Sequence, residues 1–356
     1  MHAGGQLSAY GTASSIAAAK WTHPDSGSIT ARSEIYGQSD QSTDATTAFL
    51  TISTISPKGF NMTRTETLWA RLSAGEVLLS DGATGTMLQS MGLPPGQAPE
   101  AWVLERPDRI RAFYRGYVEA GSDIILTCSF GGTRFRLSGH KLDNRVIEVN
   151  RTAAELARDA AGSEVFVAGD MGPTGQLLKP LGTVTAEEVA DAYAEQAAGL
   201  IEGGVDFLLI ETMSDLGEAQ AAIEGVRRVT DLPVVCTFSF DTHGRTMMGL
   251  KPEAVTKQIG PLVEGVGANC GRDPAEFPLF MQAMHAAAPD ALLWAKPNAG
   301  LPKMIDNQAV YDATPAYMAE IAGELCQAGA QVIGGCCGTT PEHIAAMAAA
   351  LNNQPC

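Results

Sequence analysis

The sequence contains no long uninterrupted stretch of apolar residues and no excess of basic charge. No apolar run approaches the ~20 residues that a membrane-spanning helix requires. Lys and Arg together number 24 against 40 Asp and Glu, which gives a formal net charge of −16. Nucleic acids and anionic membrane surfaces are themselves negatively charged, so this balance disfavours both. We therefore expect no nucleic-acid partner and no membrane partner.

Other features that the sequence lacks indicate where the protein is located and which kinds of catalysis are disfavoured. The N-terminus lacks a basic segment followed by an apolar one, so the sequence predicts no secretory signal. The seven cysteines are an odd number in a chain too large to need disulfides for stability, and this favours reduced thiols. Neither a Gly-rich phosphate loop nor a Ser-His-Asp arrangement stands out. We expect a soluble, cytoplasmic, globular enzyme or binding protein.

The first 61 residues differ in composition from the rest of the chain. They include 18 Ser or Thr residues, lack sustained hydrophobic periodicity and are interrupted by Gly and Pro. Such a segment buries too little apolar surface to offset the loss of chain entropy on folding. We predict that residues 1–61 form a disordered or loosely attached extension with no catalytic role. On this interpretation Met62 is an alternative start, and residues 62–356 form one domain.

Beyond residue 75, short apolar segments alternate regularly with amphipathic ones. Segments that are apolar on both faces are typical of buried parallel strands. Eight are present, at 77–81, 123–130, 165–171, 207–212, 234–240, 265–270, 292–298 and 332–337. The segments between them predict helices, and Thr185 with Glu188 has the pattern of a capping box. The alternation predicts an α/β fold, a single (β/α)8 TIM barrel. An open doubly wound sheet is the alternative, disfavoured because no Gly-x-Gly-x-x-Gly follows the first strand.

Enzymes built on such barrels place their sites at the carboxyl ends of the strands. Cys270 ends the sixth predicted strand, and the adjacent Cys336 and Cys337 end the eighth. Three converging thiolates suit zinc and leave a fourth coordination position open, as in catalytic zinc sites. Both members of the adjacent pair face one ion only if the chain turns there, which the flanking glycines permit. On spacing alone, three ordinary buried cysteines are an equal alternative.

Other strand ends also carry polar residues. Asn298 ends the seventh strand and is a candidate for the fourth zinc position when substrate is absent, and Asp170 ends the third, where it lines the site or fixes a loop. The remaining cysteines are predicted to be structural, namely Cys128, Cys236, Cys326 and Cys356.

Six short motifs occur in a distinctive order. They are Asp-Gly-Ala-Thr-Gly-Thr at 81–86, Gly-Asp-Met-Gly-Pro-Thr-Gly at 169–175, Glu-Thr-Met-Ser-Asp at 211–215, Gly-Ala-Asn-Cys at 267–270, Lys-Pro-Asn-Ala-Gly at 296–300 and Gly-Gly-Cys-Cys-Gly-Thr-Thr-Pro-Glu-His at 334–343. Together they resemble the homocysteine S-methyltransferase family, and within it the homocysteine-binding barrels of cobalamin-dependent methionine synthases. The resemblance extends over about residues 65–352. Each motif alone is weak, but six in order form a specific match.

The resemblance implies a zinc-dependent methyltransferase of methionine biosynthesis. Cys270, Cys336 and Cys337 would bind Zn2+ and carry the catalysis, and the thiol of homocysteine would accept a methyl group to give methionine. The pKa of a thiol falls when zinc binds it, so the nucleophile would exist at neutral pH.

The resemblance also implies a pocket for the amino-acid part of the substrate. Glu211 would bind the substrate ammonium by a charge-assisted hydrogen bond. Asp81 with Gly82 would help to form the pocket, and Thr127 and Ser129 would supply hydroxyl groups near it. The predicted substrate-binding residues are therefore Asp81, Gly82, Thr127, Ser129, Glu211 and Asn298.

The methyl donor is not fixed by these residues, because the family uses several. We expect neither the folate-binding barrel nor the cobalamin domain of full-length methionine synthases in this chain. A corrinoid would therefore arrive on a separate corrinoid or folate-binding protein or as a free cofactor. A betaine donor calls for an aromatic box, and betaine-using relatives have Tyr where Thr212 stands here. We favour a methyl-corrinoid or methyltetrahydrofolate-linked donor, with betaine or another onium donor second.

Two interpretations of a different class remain as alternatives. The chain is a subunit that demethylates another small compound by way of a corrinoid protein, or it is a non-catalytic barrel that only binds a thiol amino acid. The intact cysteine triad argues against the second, since a binding protein needs no Lewis acid.

Overall fold

The computed structural model describes residues 62–305 and 308–353. The predicted extension at residues 1–61 lies outside the described residues. Within them, eight parallel strands alternate with helices along the chain and pair in the order first, eighth, seventh, sixth, fifth, fourth, third and second, counted along the chain. A parallel bridge between Ser80 and Ile124 joins the two ends of this order. The sheet is therefore a closed barrel, which confirms the predicted (β/α)8 fold and excludes the open-sheet alternative.

The barrel strands are short and buried along most of their length. They are β1 (Leu78–Leu79), β2 (Ile124–Leu126), β3 (Phe166–Met171), β4 (Phe207–Met213), β5 (Val234–Phe238), β6 (Gly265–Cys270), β7 (Leu292–Pro297) and β10 (Val332–Ile333). An antiparallel hairpin is inserted after β7 and consists of β8 (Lys303–Ile305) and β9 (Gln308–Val310).

Helices surround the barrel and connect successive strands. They are α1 (Arg64–Ser73), α2 (Gly85–Ser90), α3 (Pro99–Glu105), α4 (Pro107–Glu119), α5 (Arg134–Ser138), α6 (Val146–Ala161), α7 (Ala186–Glu202), α8 (Leu216–Arg227), α9 (Pro252–Ile259), α10 (Phe277–Ala287), α11 (Pro315–Gln327) and α12 (Pro341–Asn353). The predicted capping box is present at α7, where Thr185 and Glu188 bond to each other's backbone N–H. In the described part of the chain, no helix is both long and apolar enough to cross a membrane.

Several predicted strands are longer than the observed ones, most of all the second and the eighth. Residues 127–130 and 334–337 lie in loops rather than in strands. After β2 the chain turns at once, because the N–H of Ser129 bonds to the carbonyl of Thr127. After β10 the chain leaves the barrel at Gly334. These departures put side chains from both loops around the carboxyl end of the barrel.

The core has two layers that follow from the alternation of side chains along each strand. One layer lies between the strands and the outer helices. The other fills the barrel and is closed at its amino end by α1, whose Leu68 and Leu72 are fully buried within it. Aromatic rings continue this layer, since the Trp69 and Phe207 centroids are 6.0 Å apart and those of Phe207 and Trp294 are 5.7 Å apart.

Inward-facing side chains change from apolar to charged towards the carboxyl ends of the strands. On β4 the inward row is Phe207, Leu209 and Glu211, and on β7 it includes Trp294 followed by Lys296. All five are nearly inaccessible to solvent. The apolar layers below thus support a charged layer whose groups are fixed by the rigid strands.

A close approach between β6 and β7 depends on a glycine. A Cβ atom on Gly267 would lie 2.0 Å from the carbonyl oxygen of Trp294. Because the obstacle is backbone in the adjacent strand, no side-chain movement relieves the clash.

We expect Gly267→Ala to lower the free energy of unfolding by about 1–3 kcal/mol or more through overpacking. Gly260→Ala is the matched control, since no heavy atom lies within 4 Å of its added Cβ, and we expect a change within about 0.5 kcal/mol. Urea denaturation of both variants measures the difference. Equal midpoints for the two would contradict this account of the β6–β7 contact.

Candidate metal centre and active site

A cavity of about 610 Å³ opens at the carboxyl ends of the barrel strands. Its inner wall includes Asp170 from β3, Glu211 from β4, Cys270 from β6 and Lys296 from β7. Its outer wall comes from the loops after the first three barrel strands and includes Phe130, Phe135, Arg136, His140 and Gln176. The cavity therefore has a charged inner end and an outer half lined by aromatic and polar side chains.

Three cysteine side chains meet in the wall of this cavity. The sulfur atoms of Cys270, Cys336 and Cys337 lie within 4.8 Å of one another, and those of Cys270 and Cys336 are 3.0 Å apart. A tetrahedral zinc with Zn–S bonds of ~2.3 Å would separate its thiolates by ~3.8 Å, inside this range. The donor set and its spacing fit a metal ion that prefers thiolates.

The adjacent cysteines face one point because the chain turns where the glycines allow it. The segment after β10 is fixed on both sides: the N–H of Gly335 bonds to the carbonyl of Asp81, and that of Cys336 bonds to the carbonyl of Pro297. Gly338 then adopts a φ of +83°, a left-handed conformation suited to glycine. The turn that was predicted at Cys336 and Cys337 is therefore present.

The electrostatics of the triad favour negative charge on sulfur. Hydrogen bonds from Cys270 and Cys336, and a further one from Tyr311, lower the pKa of Cys337 to about 3. Hydrogen bonds with Cys336 and Cys337 raise the pKa of Cys270 well above its ordinary value. These contacts favour the thiolate form of Cys337. Tyr311 follows the inserted hairpin and carries no motif, so nothing in the sequence indicated its contact with Cys337.

Strained backbone positions one cysteine of the triad. Thr212 and Cys270 have φ values of 63° and 61°, which non-glycine residues rarely adopt. Asn269 stabilises this arrangement: its Oδ1 accepts from the N–H of Thr212 at 2.8 Å, and its Nδ2 donates to the Thr212 hydroxyl at 2.6 Å. The Thr237 hydroxyl donates to the same Oδ1 at 2.7 Å. Asn269 therefore links the ends of β4, β5 and β6.

The inner end of the cavity contains three buried carboxyl groups and one buried ammonium. Lys296 Nζ lies 3.0 Å from Asp81 Oδ1, and both side chains are almost completely buried. Burial alone would lower the pKa of Lys296, but Asp81 and Glu211 raise it overall, so the lysine is charged. Burial raises the pKa of Glu211 to about 8 and that of Asp170 well above its ordinary value. The sequence analysis assigned no role to Lys296, whose partner is 215 residues away.

The predicted substrate-binding residues meet at this end of the barrel, but only some face the cavity. Gly82, Ser129 and Glu211 line it. A Cβ on Gly82 would lie 2.7 Å from the Thr339 hydroxyl, so only glycine fits there. Asp81 is turned instead towards Lys296.

Two of the predicted hydroxyl groups bond to protein backbone. Thr127 Oγ1 accepts from the N–H of Asp170 at 2.9 Å, and Ser129 Oγ donates to the carbonyl of Asp170 at 2.7 Å. Asn298 lies beside the triad, where its Nδ2 donates to the carbonyl of Gly271 at 2.7 Å. Substrate contacts by these three residues remain predictions.

The cysteines outside the triad differ among themselves. Cys128 and Cys236 are buried free thiols, as expected of structural residues. Cys326 in α11 is disulfide-bonded, so the expectation of reduced thiols is wrong at this position. Cys356 lies outside the described residues.

The fold and the site together define a (β/α)8 barrel with a candidate thiolate metal centre inside its active-site cavity. The model of the homocysteine S-methyltransferase family matches residues 78–351, so the chain belongs to that family, as predicted. Over 298 residues it is 35% identical to methionine synthase of Mycobacterium tuberculosis (strain ATCC 25618 / H37Rv), an alignment that covers 78% of this chain. The chain spans only about a quarter of that protein's length, since 25% of it is covered.

A solved structure shares both the architecture and the family. The crystal structure of the homocysteine methyltransferase MmuM from Escherichia coli, in its oxidized form, is 25% identical in sequence with a TM-score of 0.67. The similarity covers 79% of this chain and 98% of that one. The metallated form of MmuM shows the same fold at 24% identity, with a TM-score of 0.67.

Replacing Asn269 by Ala removes the hydrogen bonds that stabilise Thr212 and leaves buried polar groups without partners. We expect a loss of about 2–4 kcal/mol in the free energy of unfolding. We also expect weaker binding of added Zn2+, because Cys270 is no longer fixed at its left-handed φ.

Thr237→Val is the matched control, since it removes one of these bonds and keeps both bonds to Thr212. We expect it to cost about 1 kcal/mol and to leave zinc affinity unchanged. Denaturation and chelator competition measure the two quantities. Equal zinc affinities for the two variants would argue against a role of Asn269 in positioning Cys270.

Proposed function

We propose that this chain transfers a methyl group to the thiol of homocysteine to give methionine, and that Cys270, Cys336 and Cys337 hold a zinc ion for this reaction. The observation that carries the proposal is the convergence of three thiols in the wall of the cavity. Membership of the homocysteine S-methyltransferase family adds support for the reaction, and three thiolates are a ligand set that suits zinc. Bound zinc would act as a Lewis acid that keeps the substrate thiol deprotonated at neutral pH.

The residues around the triad have distinct tasks in this reaction. Glu211 receives the substrate ammonium, which supplies the cation that its buried carboxyl group lacks. The closed barrel beneath the site excludes water from the inner end of the cavity. The substrate sulfur then attacks the methyl carbon in line with the donor: a carbon–sulfur bond forms, the bond from methyl to donor breaks, and the thiol proton leaves to solvent.

The two alternatives of a different class are less consistent with the site. A pure binding protein would not need three thiols that converge in the wall of the cavity. A corrinoid-linked demethylase acting on another compound would not need the carboxyl groups of Asp170 and Glu211, whose buried oxygens suit an ammonium group. The amino-acid thiol is therefore the substrate that we favour.

Removing one thiol tests the metal site directly. We expect wild-type protein to bind about one zinc per chain and to release a proton when homocysteine is added. Cys336→Ala should lose both the zinc and the proton release while the barrel stays folded. Metal analysis and proton release measured with a pH indicator give the two readouts.

Cys236→Ala is the control for the loss of a buried cysteine. Cys236 lies on β5 in the layer between strands and helices, away from the triad, and its variant should keep zinc and the response to homocysteine. Retention of both by Cys336→Ala would rule out the proposed ligand set.

We propose a methyl-corrinoid or methyltetrahydrofolate-linked donor, presented by a separate corrinoid or folate-binding protein. The similarity to methionine synthase supports this choice. The second candidate is an onium donor such as betaine, and the observation that favours it is the pair of half-buried aromatic rings, Phe130 and Phe135, in the outer wall of the cavity. Aromatic faces attract quaternary ammonium groups.

Supplying each donor separately to the zinc-loaded protein distinguishes these candidates. With homocysteine present, we expect methionine to form from methylcobalamin and not from glycine betaine. Cys336→Ala provides the background rate in the same assay. Methionine formation from betaine alone would replace the corrinoid-linked donor with the onium donor.

A further inference from the structure

The hydroxyl group of Tyr311 contacts the candidate metal centre from outside the cavity. Tyr311 directly follows β9 and is half-buried, and its hydroxyl donates a hydrogen bond to the sulfur of Cys337. Cys337 lines the cavity, whereas Tyr311 does not. The tyrosine therefore reaches the thiol without occupying space that a substrate would use.

Close packing fixes the tyrosine ring against the loop that carries Cys337. A Cβ atom on Gly338 would lie 2.2 Å from Cγ of Tyr311 and 2.5 Å from its Cβ. Gly338 also has a φ of +83°, so a side chain at this position would both strain the backbone and displace the ring. The contact thus requires the glycine that follows the two adjacent cysteines.

Hydrogen bonds attach the segment after the hairpin to the same loop. The N–H of Ala299 bonds to the carbonyl of Cys337 at 2.9 Å, and the N–H of Ala313 bonds to the carbonyl of Ala299 at 3.0 Å. In α12, Nδ1 of His343 accepts from the N–H of Thr340 at 3.1 Å. Its Nε2 therefore carries the proton and donates to the carbonyl of Ala313 at 2.9 Å. These bonds hold the tyrosine in place from both sides of the loop.

Tyr311 would remain a donor to Cys337 when a metal replaces the thiol protons. The other hydrogen bonds to this sulfur come from Cys270 and Cys336. A cysteine binds a metal as the thiolate, so those two residues lose the protons that they donate, whereas the tyrosine hydroxyl still carries one. The other two sulfurs lie near an amide instead, since Asn269 Nδ2 is 3.7 Å from Sγ of Cys270 and 3.9 Å from that of Cys336.

The proposed reaction brings a reactive methyl group close to several sulfur atoms. A thiolate is a nucleophile, and Cys337 faces the same cavity as the substrate. A hydrogen bond to a thiolate stabilises its negative charge and so lowers its tendency to attack carbon. We propose that Tyr311 is a positioning residue that holds Cys337 and protects its sulfur from methylation, so that the methyl group goes to the substrate. This inference rests on the proposed function.

Alkylation by iodomethane in the absence of homocysteine tests the proposal. In this reaction a bond forms between Cys337 Sγ and the methyl carbon, the carbon–iodine bond breaks, and iodide leaves with the electron pair. Tyr311→Phe keeps the ring against Gly338 and removes only the hydroxyl. On the zinc-loaded full chain, we expect Cys337 of this variant to be methylated about 10-fold faster than in the wild type, as for the loss of one hydrogen bond to a charged group.

Mass spectrometry of the digested protein assigns the methyl group to individual cysteines. In Tyr311→Phe, Cys270 and Cys336 should react at nearly the wild-type rate, because the amide of Asn269 beside them is unchanged.

Cobalt(II) in place of zinc gives a readout that does not depend on reactivity. The charge-transfer absorption from thiolate to cobalt should move to longer wavelength in Tyr311→Phe, because a sulfur that has lost a hydrogen bond is more electron-rich. Tyr317→Phe is the matched control. Tyr317 is a half-buried tyrosine of α11 whose charged neighbours include Asp273 and Glu324. Its variant should keep the wild-type alkylation rates and absorption.

Equal methylation of Cys337 in Tyr311→Phe and in the wild type would overturn the proposal. A uniform rise at all three cysteines would overturn it as well, because it would indicate a general loosening of the site and not the loss of one hydrogen bond. Wild-type protein that binds neither zinc nor cobalt would instead overturn the proposed function. The same comparison at Cys337 on the metal-free chain then decides the role of the hydroxyl, since its hydrogen bond is present there.

Discussion

The strained junction between β4 and β6 is the constraint on which the site depends. Cys270 reaches the other two thiols from a left-handed backbone conformation, and Thr212 near the end of β4 adopts the same conformation. Such conformations cost on the order of 1–3 kcal/mol each and persist only where the surroundings over-determine them. Asn269, which is buried on β6, stabilises this conformation through hydrogen bonds to Thr212 on β4 and Thr237 on β5. The position of Cys270 is therefore set by the barrel strands, while the loop after β10 carries the other two thiols to it.

The acidic groups at the inner end of the cavity outnumber the cations beside them. Lys296 compensates Asp81, but Asp170, Glu211 and the sulfur triad share no further buried cation among the described residues that face the cavity. Buried acidic groups that outnumber their cations destabilise the folded protein. Clusters of buried ionisable groups of this kind are typical of functional sites. A metal cation at the sulfurs and an ammonium at the carboxyl groups would complete the balance at two separate points. The acidic groups of the site are thus matched to ligands that would supply the positive charge.

The sequence predicted the fold well, because strand burial and helix periodicity are local properties. The match of six motifs placed Cys270, Cys336 and Cys337 correctly at one point, although two of them lie outside a strand. The features that the sequence did not predict depend on contacts between residues that are far apart in the chain. The pairing of Lys296 with Asp81 and the hydrogen bond from Tyr311 join residues that no spacing rule connects. For the same reason the sequence did not show that the hydroxyls of Thr127 and Ser129, which have the expected location, bond to the backbone of Asp170 on the adjacent strand.

The shape of the cavity constrains how a methyl donor can approach. The thiols and carboxyl groups lie at the inner end, above the packed barrel interior, so a substrate sulfur bound there is blocked from below by protein. In-line displacement requires the donor on the open side of that sulfur. That side is the outer half of the cavity, between Phe130, Phe135 and the exposed Arg136 and His140. A free donor would have to fit within this space, whereas a donor carried by another protein would have to be presented across the same opening. A free donor would thus be enclosed by the loops after β1, β2 and β3, whereas a protein that carries the donor would have to dock on them.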